Sequence, residues 1–240
     1  MNKFGKIFFI VFLFVALTCV TGIHNILTKY KQNKELYENS RNYVTVSDKD
    51  DTLIDTISID VDFEKLEEIN DDIIGWIYIP DTNINYPLVK GDDNQYYVEK
   101  GYDNSVTGSG AIFLDYRNSY DLKDYNSIIY GHNMIDDTMF SDLARYMEQE
   151  YFEQHRLVYI VAKDKMVVYE VFSAYITTSD SDTYTIDFGD ETENYLLLVN
   201  DKNILESDSV IDFGDRIITL STCTSSTSDG RYVVHAFECE

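Results

Sequence analysis

The chain has 240 residues, with 43 Asp and Glu against 19 Lys and Arg and a net charge of −24. Its first 40 residues hold five lysines and two glutamates, so the remaining 200 carry a net charge of −27. So acidic a body repels nucleic acid and anionic lipid, which excludes a nucleic-acid partner, while 200 residues suffice for one domain with a full core. With three cysteines, one of them inside an apolar segment, the domain does not depend on disulfide staples.

Lys3 and Lys6 precede an uncharged run from Ile7 to Ile23, which is near the lower length limit for a helix that crosses a bilayer. A cleaved signal peptide is the alternative, but no clear Ala-x-Ala site closes the run, so residues 7–27 read as a retained signal anchor behind a short tail, 1–6. Lys29, Lys31 and Lys34 on the far flank match the N-terminal positive charge, and charge alone does not set the orientation. Residues 28–60 are polar, with Asn33, Asn39, Asn42 and the cluster Asp48-Lys49-Asp50-Asp51, and read as a juxtamembrane stalk with a helix near 26–42. Residues 61–240 form the folded domain.

Phe63, Leu66, Ile69 and Ile73 recur at helical spacing and predict a helix ending near Gly75. Strand patterns follow at 76–79, 86–89, 111–114, 128–130, 157–162, 167–176, 216–222 and 232–237. Eight short strands with few helices predict a mostly β chain closed into a barrel. Two helical stretches interrupt them. Met139, Leu143 and Tyr146 share one face of 138–146, and residues 191–200 lie in the long connection before the strand at 216–222.

The chemistry gathers at strand ends. Cys223 closes the run Ile217-Ile218-Thr219-Leu220-Ser221-Thr222, with Ser221 on its own face by the two-residue period. A polar loop ending in Asp229-Gly230 returns the chain to Arg231, which opens the next strand. His132 directly follows the run Ser127-Ile128-Ile129-Tyr130-Gly131. A thiol attacks a carbonyl only as thiolate and needs an imidazole or positive field beside it. A guanidinium can stabilise the oxyanion that forms without losing its own proton. Three other readings compete: a Cys223–Cys239 disulfide, His235 in place of His132, and Arg231 as a surface ion-pair partner. The aspartates at 48–51 and at 180, 182 and 187 lack a spaced calcium loop, there is no zinc spacing and no phosphate-cradling glycine loop, and no cofactor is expected.

The string Thr219-Leu220-Ser221-Thr222-Cys223-Thr224 with Gly230-Arg231-Tyr232-Val233-Val234 resembles the cysteine strand and downstream arginine of sortases, and Tyr130-Gly131-His132-Asn133 resembles their histidine motif. Gly75-Trp76-Ile77-Tyr78-Ile79-Pro80, Ile84-Asn85-Tyr86-Pro87-Leu88-Val89 and Asp93-Asn94-Gln95-Tyr96-Tyr97 resemble the class B branch, over about residues 62–238. The resemblance implies an eight-stranded sortase-type barrel outside the membrane of a Gram-positive cell. It implies a transpeptidase that cuts a sorting signal after threonine, within an Asn-Pro-x-Thr or related core. The peptide is held as a thioester and passed to an amine of peptidoglycan or its lipid-linked precursor. By motif match Cys223 is the nucleophile, His132 the general acid and base, and Arg231 the oxyanion or substrate-backbone partner. Asn94, Val98, Tyr184, Thr185 and Ser221 fall where class B members line the peptide groove. The acidic residue that some relatives carry after the cysteine is here Thr224. Two alternatives stay open: a surface cysteine peptidase with water as acceptor, and a non-catalytic membrane-anchored binding ectodomain with Cys223 and Cys239 joined.

Overall fold

A computed structural model describes residues 3–48, 57–209, 211, 212, 214–224, 227 and 229–239. The chain divides into two compact units, residues 1–39 and 40–240.

Helix α1 (Lys3–Ser40) is 38 residues long and fills the first unit. At a rise of 1.5 Å per residue it extends about 57 Å. Its first half is apolar on every side, with Phe12, Leu17, Val20 and Leu27 all more than half exposed, so nothing in its own unit buries it. Thr18, Thr21 and Thr28 return their hydroxyls to main-chain carbonyls three or four residues earlier, so they expose no unpaired donor. The second half is polar and carries the Lys31–Glu35 and Lys34–Glu38 pairs. The helix expected near 26–42 is thus the continuation of the apolar one.

The second unit begins with a 3-10 turn (Arg41–Tyr43) and an antiparallel pair, β1 (Val44–Asp48) and β2 (Ile57–Val61). This pair stands where the sequence predicts a polar stalk; Lys49, Asp50 and Asp51 of the acidic cluster lie outside the described residues. Helix α2 (Phe63–Ile69) is capped by the Asp62 carboxylate and buries Leu66. It stops short of the expected Gly75 because Asn70 adopts extended backbone and spends its side chain on Tyr97 Oη and the Tyr102 carbonyl. Ile73 consequently opens a strand.

Among the described residues, eight strands close a barrel in the order β10, β8, β7, β3, β4, β5, β6, β9, with β9 returning to β10. They are β3 (Ile73–Tyr78), β4 (Asn85–Val89), β5 (Ile112–Leu114), β6 (Asn126–Tyr130), β7 (Leu157–Val161), β8 (Met166–Thr178), β9 (Ile217–Cys223) and β10 (Gly230–Glu238). Every strand expected from periodicity is present. Trp76, Ile112, Ile128, Ile160, Val171, Leu220 and Val234 are fully buried and fill the core.

Helices are few. Tyr96–Glu99 forms the short α3 between β4 and β5, initiated by the Asp93 carboxylate, which accepts from the backbone of Gln95 and Tyr96. The expected stretch after His132 is a 3-10 helix (Ser141–Met147), followed by α4 (Gln149–Gln154). In the connection before β9, α5 (Thr192–Lys202) packs Tyr195 and Val199 against Phe172, Ile217 and Val233 of the barrel wall.

Two of the eight pairings are parallel, β4 with β5 and β6 with β9. The second decides where function sits. Because β6 and β9 run the same way, with Tyr130 opposite Ser221, both chains leave the barrel at one rim. Because β10 runs against β9, it enters the barrel at that same rim, with Arg231 opposite Cys223. Residues almost a hundred positions apart therefore meet.

Candidate active site

Six of the seven residues of β9 are buried, and the seventh, Cys223, is exposed. The strand thus delivers its thiol to solvent at the point where it leaves the wall. Arg231 is the antiparallel partner of Cys223, which sets their Cα atoms roughly 4.5–5.5 Å apart. Its Nη1 donates to the Gly230 carbonyl at 2.9 Å.

His132 arrives from β6. Gly131 donates its N–H to the Ser221 carbonyl at 3.2 Å and extends the parallel ladder by one residue. A Cβ at Gly131 would come within 2.4 Å of Ile112 Cδ1 and 2.8 Å of Phe140 Cγ, so only glycine lets the chain pass here. The His132 carbonyl then accepts from the Phe140 N–H at 2.9 Å, which closes the loop onto the buried Met139–Phe140 segment.

The His132 ring places Nε2 2.8 Å from the Val98 carbonyl. A carbonyl only accepts, so Nε2 carries a proton, and in the neutral ring the lone pair is on Nδ1. Val98 is itself fixed from behind. Gly110, at φ +58°, lies so close that a Cβ there would sit 2.4 Å from the Val98 oxygen.

A cleft of about 430 Å³ opens over these groups and is lined by Cys223, His132 and Arg231 together with Ser221, Asn94, Val98 and Tyr184. Seven of the eight residues expected at the site therefore converge. Thr185 lines an adjoining cleft of about 590 Å³ instead, and its hydroxyl donates to the Asp182 carbonyl. Tyr184 Oη and Ser221 Oγ lie 2.9 Å apart and tie the wall of the cleft to its floor.

Residues that pattern reading passed over complete the wall. Asp115 is fully buried and accepts from Arg117 Nε and Nη2 at 2.9 and 2.8 Å, from Asn94 Nδ2 at 3.0 Å and from Tyr130 Oη at 3.0 Å. Burial pushes its carboxyl up, but the hydrogen bonds from Arg117 and Asn94 outweigh that and hold the pKa below the usual aspartate value. Arg117 Nη2 also reaches the Tyr184 carbonyl at 3.3 Å. Burial, with Asp115 beside it, drives the Tyr130 hydroxyl far up, so it stays protonated as a donor. The sequence signal was an Asp-Tyr-Arg string after a strand, which reads as ordinary loop charge.

Geometry speaks against two of the competing assignments, His235 as the acid and base and the Cys223–Cys239 disulfide. His235 is fully buried in the barrel wall, away from the cleft lining. Burial, with a smaller contribution from Lys202, lowers its pKa to about 3. Cys19, Cys223 and Cys239 are all free thiols. Cys223 pairs with Arg231 at one end of β10 and Cys239 follows its other end, so the two sulfurs stand roughly 25 Å apart, far beyond the ~7 Å Cα limit for a disulfide.

The rim thus brings thiol, imidazole and guanidinium to one cleft by a parallel and an antiparallel pairing, and the chain that builds it is matched by a family model. The model described as a sortase domain covers residues 77–238. The chain belongs to the sortase family. Sortase B of Listeria monocytogenes serovar 1/2a is 34% identical over 234 residues, which is 93% of this chain and 95% of that one. A solved Staphylococcus aureus sortase B–substrate complex superposes with a TM-score of 0.70 at 36% identity, covering 75% of this chain and 85% of that one. A sortase B complexed with triglycine gives a TM-score of 0.70 at 36% identity over 75% and 86%. This sortase is of class B and is a cysteine transpeptidase, with the closed mixed barrel of its relatives.

Proposed function

We propose that this sortase is held in the cell membrane by α1 and, on the outer face of a Gram-positive cell, attaches a secreted protein to the wall. The single observation that carries the reading is the convergence of Cys223, His132 and Arg231 on one cleft. Residues 1–6 are the cytoplasmic tail, 7–27 cross the bilayer, 28–60 connect, and 61–240 are the catalytic domain. The apolar first half of α1 is long enough to span.

In the first half-reaction the Cys223 sulfur attacks the threonine carbonyl of a sorting signal lying in the cleft. A C–S bond forms, and the negative charge on the former carbonyl oxygen faces the guanidinium of Arg231. The C–N bond then breaks to leave a thioester, and His132 supplies the proton that the departing amine needs. In the second half-reaction a cell-wall amine, on peptidoglycan or its lipid-linked precursor, attacks the thioester. His132 takes its proton and the sulfur leaves. With Nε2 held by Val98, Nδ1 is the nitrogen that exchanges the proton. Ser221, Asn94, Val98 and Tyr184 bind the peptide, with Thr185 at the adjoining end of the groove. The substrate and triglycine complexes of the relatives support a peptide donor and an amine acceptor.

Mass spectrometry of the full chain in detergent, mixed with a library of peptides around Asn-Pro-x-Thr, tests the reading. A peptide thioester on Cys223, lost in Cys223→Ala and discharged by added triglycine into an amide product, is the expected result. Hydrolysis alone at saturating amine would make the protein a peptidase, and no adduct with any peptide would remove the catalytic assignment.

A further inference from the structure

We propose that His235 is a positioning residue for the donor peptide: a buried hydrogen-bond relay runs through it and fixes the turn that presents Tyr184 to the cleft. The inference rests on the reading of Tyr184 and Ser221 as groove residues.

The relay has one direction, which the acceptors dictate. Asn126 Nδ2 donates to the Thr185 carbonyl at 2.9 Å and to Tyr195 Oη at 3.1 Å, which fixes the amide's orientation. Its Oδ1 therefore accepts the hydroxyl of Thr219 at 2.7 Å. With that proton spent, Thr219 Oγ1 can only accept from His235 Nδ1, 3.0 Å away, so the neutral ring is the Nδ1–H tautomer. His235 Nε2 then accepts from Tyr175 Oη at 2.9 Å. Tyr175 in turn accepts from Thr183 Oγ1 at 3.0 Å, Thr183 from Ser181 Oγ at 2.8 Å, and Ser181 from the Lys202 ammonium at 2.9 Å.

Asn126, Thr183, Thr219 and His235 are fully buried, so each missing link would strand a polar group without water to replace it. The chain of bonds brackets Tyr184. Thr183 before it is held by its hydroxyl and by its carbonyl, which accepts from Tyr195 at 2.8 Å. Thr185 after it is held by its carbonyl. Thr219 and Ser221 sit two residues apart on one face of β9, the first joined to the turn through His235 and the second directly through Tyr184. The peptide wall is thereby registered against the strand that carries the nucleophile.

Steady-state cleavage of a fluorogenic peptide with an Asn-Pro-x-Thr core, and the rate of Cys223 alkylation by iodoacetamide, are measured on the full chain in detergent. Tyr175→Phe keeps the ring and removes the hydroxyl, and His235→Phe removes the centre of the relay. In both, KM rises about tenfold while kcat and the alkylation rate stay within about twofold. A lesion of the fold as a whole lowers the active fraction, and hence kcat, without moving KM. If Tyr175→Phe leaves KM unchanged, or lowers kcat and alkylation together, the inference is wrong. Tyr184→Ala separates the two levels: if it raises KM while Tyr175→Phe does not, only the relay falls, and if it leaves KM unchanged the groove reading falls with it.

Discussion

Asn133 donates from Nδ2 to the main-chain carbonyl of Cys223 at 2.9 Å. The loop that carries the histidine is thus bound to the peptide unit of the nucleophile itself, as well as being pinned by the Asn133–Met139 bridge. This contact adds to the two strands in holding the histidine loop against the strand of the thiol. Asn133→Ala removes one solvent-exposed hydrogen bond, a net loss of about 0.5 kcal/mol, and the expected outcome is a two- to threefold lower kcat with KM little changed. Asn133→Asp cannot donate and adds a negative charge beside the sulfur. It is expected to lose at least as much kcat as Asn133→Ala. Stopped-flow acylation of the two variants checks both.

Arg231 faces Cys223 across the β9–β10 ladder, and in the proposed mechanism its guanidinium meets the oxyanion. Lysine keeps the charge but loses the planar pair of donors. Arg231→Lys is therefore expected to lower kcat/KM by about a hundredfold, while Cys223 alkylation, which needs only the nearby positive charge, changes far less. Equal losses in both measurements would move Arg231 from oxyanion stabiliser to a generic electrostatic role.

Gly131 makes the closest approach in the loop. An added methyl group meets Ile112 and Phe140 side chains, both buried in the core. Overpacking of this kind costs about 1–3 kcal/mol, and the strain falls on the residue next to His132. Gly131→Ala should lower Tm by several degrees and reduce kcat more than tenfold, because a small misplacement of a proton-transfer group is magnified in rate. Calorimetry beside peptide cleavage separates the two effects.

The strands were legible because burial follows a simple period. The barrel residues of β7, β8 and β10 alternate or run apolar in windows bounded by Gly, Asp or Lys. Cys223 and His132 stand out in the sequence because each sits where such a window stops, and Arg231 because it sits where one starts. What could not be seen was decided by tertiary contacts. Ile73 continues the helical spacing of Leu66 and Ile69, yet Asn70 finds partners on Tyr97 and Tyr102 that end the helix. The β1–β2 pair does alternate, with Val44 and Val46 and then Ile57, Ile59 and Val61 two residues apart, but the acidic cluster that follows Ser47 makes the whole stretch read as a polar stalk. Asp115 looks like any loop aspartate until Tyr130, Asn94 and Arg117, from three parts of the chain, close over it. By position at a strand alone His235 competes with His132, and the motif resemblance at Tyr130-Gly131-His132-Asn133 together with the full burial of His235 tells them apart.

Asp115 gives the groove wall a defined pH range. Its folded-state pKa is lowered, so the stabilisation it supplies is fully present above the unfolded value of about 3.9 and fades as pH falls through the lower folded value. The wall at Tyr130 and Asn94 is therefore expected to hold unchanged from neutral pH to about pH 4. Asp115→Asn leaves an acceptor for Arg117 but removes the charge. The loss is about 1–2 kcal/mol, less than for a wholly enclosed pair because Arg117 stays 43% exposed. Denaturant titrations of parent and variant should differ by a constant amount between pH 5 and 8, and the gap should narrow only under more acid conditions. A gap that closes already at pH 6 would show that another group, and not this carboxylate, secures the wall.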